Sequence, residues 1–267
     1  MSLENAIARL APAMPAFEPG HVWLAGAGPG NVGSLTLDVV AAIADADAIV
    51  YDALVESSIL DAARHGVELH FAGKRGGQAS TAQDDITALL ISLARKKRRV
   101  LRLKGGDPYV FGRGGEEALA LAQAGIPFRI LPGVTSAFGA LASAGIPATM
   151  RGLNKAIILA TGHAGTEDDL DWAALARTGQ PIVVYMGLRN LARITAALVS
   201  GGLRPSTPAA VIMAATTSQE RVLVSTLEAI ADEATAQDFA SPALIVVGEI
   251  VSMRAELIAL ERLMRSA

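Results

Sequence analysis

The chain has 267 residues, of which 51% are hydrophobic and 18% are charged, and its formal net charge is −3. At this length roughly 70–75% of the unfolded surface can be buried, which suffices for one large or two modest domains. The slightly acidic balance argues against a nucleic-acid-binding protein. The chain contains no cysteine, which excludes disulfides, thiolate metal sites and cysteine nucleophiles and fits a reducing cytoplasm.

Metal binding, secretion and membrane insertion are not expected from the sequence. The histidines form no i, i+4 pair and no His-Glu-x-x-His motif, so they predict no metal site. They are His21, His65, His70 and His163. Residues 1–19 contain Glu4 and Arg9 but no continuous apolar run, so we expect a loose N-terminal extension and no signal peptide. Asp45 and Asp47 interrupt the best candidate for a membrane span.

The first half of the chain alternates short apolar runs with segments of helical spacing. This alternation predicts a mostly parallel sheet flanked by helices, built from residues 20–146. The predicted elements are strands at 22–25, 48–51, 67–71, 100–103 and 128–131, and helices at 35–46, 84–97, 116–124 and 136–144. The basic run at 95–99 is then interpreted as the solvated end of a helix. The alternative interpretation is a docking surface for an anionic partner.

The second half begins after a stretch rich in helix breakers. Residues 147–154 begin no regular period, so we predict a linker there and a second α/β domain over 155–267. Two of its strands follow each other with no helix between them, which predicts a sheet of mixed direction. The predicted elements are strands at 156–160, 181–185, 209–213, 221–225 and 244–247, and helices at 191–199, 227–233 and 253–264.

The most informative segment is 105–117, where an apolar strand leads into five glycines before a helix begins. Glycine costs a strand or helix about 0.5–1 kcal/mol relative to alanine, and it is tolerated where the backbone turns sharply or lies against a ligand. The segment therefore indicates a backbone that touches a ligand. The alternative is a plain strand-to-helix turn.

A second glycine motif lies near the start of the chain. Gly28, Gly30 and Gly33 satisfy G-x-G-x-x-G after a strand, and Asp52 ends the next strand, where a ribose-binding acid would lie in a dinucleotide-binding fold. Taken alone, this pattern indicates a nicotinamide-dependent oxidoreductase. Pro29, however, stiffens the loop where a pyrophosphate would need the backbone to wrap around it.

Residues 102–117, together with 26–30, 51–55, 72–76, 132–137 and 184–188, resemble the tetrapyrrole methylases, and most closely the uroporphyrinogen-III C-methyltransferases. The matches occur in one order over nearly the whole chain. The resemblance implies two α/β domains, with the cofactor in the trough between them, and a homodimer. Asn31 stands where the family usually has an aspartate, so this position keeps the capacity to cap a turn but loses the charge.

The resemblance implies S-adenosylmethionine as cofactor, S-adenosylhomocysteine as its product, and no metal. Met186 has an alternative interpretation as core filler, and Ala215 and Ala243 are indicated by the resemblance alone. The cofactor-binding residues that it implies are Pro29, Gly105, Gly106, Asp107, Val110, Thr135, Ser136, Met186, Ala215 and Ala243.

Three further residues carry the implied chemistry. By resemblance, Asp52 is the proton acceptor, Lys74 is the proton donor, and Arg113 faces the substrate, where its planar fork suits a carboxylate. Each also has a plain structural interpretation. Asp52 could cap the following helix, Lys74 could be a surface residue, and Arg113 could pair with Glu116 or Glu117.

The implied reaction is methylation of uroporphyrinogen III at two pyrrole carbons, C2 and C7, giving precorrin-2 through precorrin-1. The product serves cobalamin, siroheme or haem d1 biosynthesis in the cytoplasm. One alternative is a later precorrin methyltransferase of the same family, and a second, from a different class, is the nicotinamide-dependent oxidoreductase.

Overall fold

The computed structural model describes residues 3–10, 13–73, 82–163 and 170–266. The chain divides into two compact units, Met1–Thr135 and Ser136–Ala267. Among the described residues, no helix is both long enough and apolar enough to cross a membrane.

The first unit is built on a five-stranded sheet in the order β3-β2-β4-β1-β5, in which every pairing is parallel. Its strands are β1 (Val22–Gly26), β2 (Ala48–Tyr51), β3 (Glu68–Phe71), β4 (Val100–Lys104) and β5 (Phe128–Leu131). Its helices are α1 (Leu3–Leu10), α2 (Leu37–Asp45), α3 (Gln83–Arg95) and α4 (Gly114–Gln123).

The two faces of this sheet bury separate hydrophobic clusters. Along β4, Leu101 and Leu103 face the cluster that contains α2, whereas Val100 belongs to the cluster under α3 and α4. Because side chains alternate along a strand, Arg102 and Lys104 lie on the same face as Val100. The central strand therefore directs two cations toward α3 and α4, and both are almost fully buried.

The second unit contains a mixed five-stranded sheet in the order β6-β7-β10-β8-β9. β6 and β7 are parallel, whereas β10 runs antiparallel to β7 and β8, and β9 runs antiparallel to β8. The strands are β6 (Ile158–Thr161), β7 (Ile182–Tyr185), β8 (Pro208–Met213), β9 (Arg221–Thr226) and β10 (Ala243–Val247). The helices are α5 (Ser136–Ser143), α6 (Trp172–Arg177), α7 (Leu191–Ser200), α8 (Ile230–Ala236) and α9 (Met253–Ser266).

The predicted fold class is confirmed: the first sheet is parallel and the second is mixed. The division of the chain differs from the predicted one, because α5 groups with the second unit. The Ala137 N–H donates to Tyr185 Oη at 3.0 Å, and Arg254 donates to the carbonyl of Ala144. Residues 147–154 consequently lie within the second unit, and α1 occupies part of the predicted loose extension.

Candidate active site

Four strand ends of the first unit meet at one edge of its sheet, because β1, β2, β4 and β5 are parallel and in register. Ligand sites of open α/β sheets lie at this carboxyl edge. The Ala27 N–H donates to the Lys104 carbonyl at 2.7 Å. Gly28 and Gly106 exchange two backbone hydrogen bonds, of 3.2 and 2.7 Å, so the two glycine motifs are paired directly.

Two glycines, Gly26 and Gly133, allow the backbone segments to approach one another at this edge. A Cβ atom at Gly133 would lie 2.3 Å from the Gly106 carbonyl oxygen and 2.7 Å from the Gly26 Cα. A Cβ atom at Gly26 would lie 2.4 Å from the same oxygen. These glycines are therefore required by contacts within the protein, whether or not a ligand also contacts this backbone.

Asp107 joins the two loops that follow β4 and β5. One carboxylate oxygen accepts from the Tyr109 N–H at 2.8 Å, and the other accepts from the Gly133 N–H at 3.0 Å. Val110 lies in the same turn, where its N–H donates to the Asp107 carbonyl at 3.3 Å. The predicted cofactor residue Asp107 thus also holds the predicted cofactor loop in shape.

Asp52 follows β2 at the same edge and is partly exposed, with 22% of its side chain accessible. Its Oδ1 accepts from the Leu54 N–H at 3.0 Å, and its Oδ2 lies 3.7 Å from Arg102 Nη2. The next helical turn has Glu56 at its N-cap position. Asp52 therefore does not cap the following helix but is held in a tight turn beside a buried cation.

A buried charged cluster lies behind Asp52 and was not predicted from the sequence. Glu117 is fully buried, and its Oε1 accepts from Gln83 at 3.0 Å, Lys104 at 3.1 Å and Arg102 at 3.2 Å. Burial lowers the pKa of Lys104, and the positive charge of Arg102 lowers it further, while Glu117 opposes both effects. The sequence does contain a signal for this cluster, because two cations, Arg102 and Lys104, occupy alternate positions in an otherwise apolar strand.

Arg113 stands at the N-cap of α4 in a left-handed conformation, with φ of +59°. Its Nε and Nη2 donate to the two carboxylate oxygens of Glu116 at 2.9 and 2.5 Å, and its side chain is 56% exposed. This pair raises the pKa of Arg113 and lowers the pKa of Glu116. The arrangement matches the plain interpretation of Arg113, and it also shows the forked geometry that binds carboxylates. Lys74 lies outside the described residues.

Three predicted cofactor residues lie at one edge of the mixed sheet in the second unit. Met186 follows β7, Ala215 follows β8, and Ala243 begins β10. The strand ends are adjacent, because Tyr185 pairs with Leu244 and Met213 pairs with Ala243. Met186 has a φ of +53° and is 53% exposed, so its interpretation as core filler is wrong. Ala214 and Thr216, on either side of Ala215, also have positive φ angles. Such backbone costs about 1–3 kcal/mol per residue and clusters at ligand sites.

Two further predicted cofactor residues, Thr135 and Ser136, are consecutive. Thr135 is buried, and Ser136 begins α5. Because the next residue, Ala137, donates to Tyr185 Oη, the start of α5 is tied to the end of β7, immediately before Met186. Ser136 thus belongs to the same region of the second unit as Met186.

The structure differs from a dinucleotide-binding fold. Strand β4 lies between β2 and β1, whereas the dinucleotide fold places its first strand beside its second. The helix after the G-x-G-x-x-G motif begins only at Leu37, and the backbone of Gly28 is already bonded to Gly106. Within the described residues, no group of three or more His, Asp or Glu side chains could hold a metal ion.

Comparisons with known proteins agree on one family. The model for tetrapyrrole (corrin/porphyrin) methylases matches residues 21–231. A uroporphyrinogen-III C-methyltransferase of Sinorhizobium sp is 49% identical over 247 residues, which are 91% of this chain and 88% of that protein. A siroheme synthase of Methylococcus capsulatus is 47% identical over 96% of this chain, which spans only 54% of that relative.

A solved structure adds a match at the level of the fold. The uroporphyrin-III C-methyl transferase from Thermus thermophilus, complexed with S-adenyl homocysteine, has a TM-score of 0.73 and is 36% identical. The match covers 87% of this chain and 99% of that one. The chain therefore belongs to the tetrapyrrole methylase family of methyltransferases.

Proposed function

We propose that this protein methylates uroporphyrinogen III at C2 and C7 with S-adenosylmethionine, forming precorrin-1 and then precorrin-2. The observation that carries the proposal is the 49% identity to a uroporphyrinogen-III C-methyltransferase over 91% of the chain. The product would enter siroheme, cobalamin or haem d1 biosynthesis. The relatives named siroheme synthase support the first of these pathways, although the chain spans about half of their length.

The predicted residues fit S-adenosylmethionine in their chemistry. The exposed Met186, with the small side chains of Ala215 and Ala243 at the same sheet edge, offers an apolar surface for adenine. Thr135, Ser136 and the backbone of the glycine loop offer polar groups for the ribose and the amino-acid end. When bound, the cofactor supplies an activated methyl group. We propose that Pro29 and Val110 also belong to its site.

Asp52 is suited to accept the proton that a methylated ring carbon must lose. Its two oxygens are oriented by Leu54 and Arg102, and the carboxylate remains partly exposed, so a substrate proton can reach it. A placed base of this kind contributes about 10²–10⁴-fold to the rate. We retain Lys74 as the proposed proton donor because of the family resemblance.

Arg113 is suited to bind a carboxylate of the substrate. Its guanidinium already binds Glu116 through two parallel hydrogen bonds, and both side chains are more than half exposed. An exposed pair of this kind contributes less than about 1 kcal/mol, so a substrate carboxylate could replace Glu116 at little cost. Arg113 would then orient the macrocycle.

We further propose a cytoplasmic homodimer. The cysteine-free sequence supports a reducing compartment, and the family resemblance supports the dimer. Analytical ultracentrifugation at several protein concentrations would test the dimer, and a monomer at all of them would contradict it.

The proposed reaction is tested by anaerobic incubation of the protein with uroporphyrinogen III and S-adenosylmethionine, followed by mass spectrometry of the product. We expect one and then two added methyl groups, with S-adenosylhomocysteine inhibiting both additions. Methylation of a later precorrin, with none of uroporphyrinogen III, would identify the related enzyme instead. Tighter binding of NAD than of S-adenosylhomocysteine in calorimetric titrations would overturn the cofactor assignment.

A further inference from the structure

Among the residues that the structure describes, the buried cluster behind Asp52 is balanced in charge only when Asp52 is counted. Arg102 and Lys104 are both less than a tenth exposed, and Glu117 is the fully buried anion between them. Two buried cations beside one buried carboxylate would leave an uncompensated charge, which is strongly unfavourable. Asp52 supplies the second negative charge, at 3.7 Å from Arg102. The cluster and the predicted proton acceptor are therefore one electrostatic unit.

Arg102 is the member of the cluster that reaches from the core to the site. It lies opposite Val50 in the pairing of β4 with β2. Its Nε donates to Glu117 at 3.2 Å, and its Nη1 donates to the carbonyls of Leu103 at 3.1 Å and Val50 at 3.3 Å. These bonds fix the plane of the guanidinium, so the position of Nη2 beside Asp52 is fixed as well.

Stability alone gives a weak reason for such an arrangement. Replacing a buried ion cluster by apolar side chains of similar volume is often neutral or stabilising. A planar guanidinium, by contrast, holds its partners in defined directions, which lysine does not. Among the described residues, the Leu54 N–H contacts Oδ1 of Asp52 and Arg102 Nη2 lies beside Oδ2, so the direction of the carboxylate depends on both partners.

We propose that Arg102 is a positioning residue: anchored by Glu117 on one side, it presents Nη2 to Asp52 and sets the direction in which that carboxylate faces the substrate. The inference rests on the proposed function, because it assigns Arg102 a task only if Asp52 accepts the proton. Displacement of a catalytic group by about 1 Å can cost about 100-fold in rate.

The test is a double-mutant cycle of the full-length protein with Arg102→Met and Asp52→Asn. We expect Arg102→Met to lower kcat by about 10- to 100-fold, with KM and the Kd for S-adenosylhomocysteine changed by less than about 2-fold. In the Asp52→Asn background, the same substitution should lower kcat no further. An equal loss in both backgrounds would mean that Arg102 only supports the fold, and would overturn the proposal.

Two further variants keep the test decisive if Arg102→Met unfolds. Arg102→Lys keeps a cation for Glu117 but loses the planar guanidinium. We therefore expect the thermal stability to be close to that of the parent, while kcat stays low. A kcat equal to that of the parent would overturn the proposal. Arg99→Met is the matched control, because Arg99 precedes the same strand and pairs with Asp47 instead. It should lower stability and leave kcat unchanged.

The experiment distinguishes a failure of the proposed role of Asp52 from a failure of the inference about Arg102. If Asp52→Asn keeps the parent's kcat, Asp52 is not the proton acceptor, and both its proposed role and the inference about Arg102 fall. If Asp52→Asn is impaired but the cycle is additive, the proposed function stands and only the role of Arg102 falls. A crystal structure of Arg102→Met adds a readout independent of activity, since we expect the Asp52 carboxylate to turn away from its position in the parent.

Discussion

At the scale of single residues, Asp107 connects the fold to the proposed cofactor site. Its carboxylate is the shared acceptor for two backbone N–H groups that are 24 residues apart in the chain, those of Tyr109 and Gly133. Removing it would leave both groups without that partner and would release the glycine loop from the loop after β5.

We predict that Asp107→Ala weakens S-adenosylhomocysteine binding by about 1.5–3 kcal/mol, the usual contribution of a hydrogen bond to a charged group. Turnover should fall mainly through this loss of affinity, which isothermal titration calorimetry measures directly. Asp171→Ala is a suitable control, because the Asp171 carboxylate likewise accepts from a backbone N–H, that of Ala174, but lies outside the predicted cofactor set. Unchanged affinity in Asp107→Ala would reduce Asp107 to a turn residue.

Arg113 provides a second prediction at this scale. If its fork binds a substrate carboxylate, Arg113→Ala should raise KM for uroporphyrinogen III by the equivalent of about 1.5–3 kcal/mol. Weaker binding of the macrocycle should also let more singly methylated product dissociate before the second methyl transfer. Mass spectrometry under limiting substrate measures that ratio.

Arg204→Ala is the matched control for this variant, because it breaks a comparable exposed ion pair, with Glu249, in the second unit. It should change neither KM nor the product ratio. If both quantities also stay at the parent's values in Arg113→Ala, Arg113 does not belong to the substrate site.

Residue roles could be predicted from the sequence only where local context decides them. Arg113 and Glu116 are three positions apart, so their pairing was among the expectations. Glu117 is the next residue, yet it turns inward and binds Arg102 and Lys104, because the helix directs it toward the sheet. The exposure of Met186 likewise depends on a backbone turn at the end of β7 that no single-residue preference indicates.

At the scale of elements, contacts between loops decide which glycines are replaceable. We predict that Gly133→Ala lowers the free energy of unfolding by more than about 2 kcal/mol, because its Cβ would lie 2.3 Å from the Gly106 carbonyl oxygen. Gly115→Ala is the control, since its Cβ meets no atom within 4 Å in the first turn of α4. It should raise the free energy of unfolding by about 0.4–1 kcal/mol.

Urea denaturation of both variants would measure these changes. Equal effects of the two substitutions would contradict the close approach of the three loops.

The amino ends of β2 and β4 are joined by Asp47, whose stabilising effect should depend on pH. Arg99 donates to it from its backbone at 2.8 Å and from its side chain, and Arg64 adds a second cation. The hydrogen bond from the Arg99 side chain is the main reason that the pKa of Asp47 is below its ordinary value of 3.8. On acidification the unfolded chain therefore takes up this proton before the folded protein does.

We predict that Asp47→Asn lowers the free energy of unfolding by about 1–3 kcal/mol at neutral pH. The difference from the parent should be fully present above about pH 5 and should shrink as the pH falls below 4 and through the folded-state pKa. Urea denaturation at pH 7, 5, 4 and 3 checks this, with Asp61→Asn as an exposed control. A difference that grows on acidification would contradict the assigned ion pair.

Element types were predictable because alternating apolar runs and helical spacing are local signals. The strand at 128–131 was predicted at its observed bounds, and the mixed sheet followed from two strands without an intervening helix. Helix α6 was not predicted, since its six residues give too short a period to recognise. The order of strands depends on pairings between distant segments, such as β2 with β4, which the sequence pattern does not specify.

At the scale of the whole molecule, each unit has a core of its own, and α5 belongs to the second. The breaker-rich segment at 147–154 suggested a linker, but breakers also occur in turns that are held in place. Asn154 bonds to the backbone of Met150, Ala148 and Ala156 and so fixes this segment within its unit. Composition alone cannot distinguish a linker from such a turn.

The division between Thr135 and Ser136 leads to a prediction about fragments. Residues 136–267 should fold cooperatively, whereas 147–267 should be less stable by about 2–4 kcal/mol, because it loses the contact of α5 with β10, the burial of Leu141 and the hydrogen bond from Ala137 to Tyr185. Circular dichroism during urea titration compares the two fragments.

A point variant isolates the hydrogen bond in this comparison. Tyr185→Phe should destabilise 136–267 by about 0.5–1.5 kcal/mol, because the N–H of Ala137 loses its acceptor. In 147–267 the same substitution should destabilise less than in 136–267, since the contribution of the Ala137 N–H is already lost. Tyr109→Phe in the full-length chain controls for loss of an exposed hydroxyl and should be neutral. If the two fragments were equally stable and Tyr185→Phe affected both alike, α5 would not belong to the second unit, and the boundary would return to 147–154.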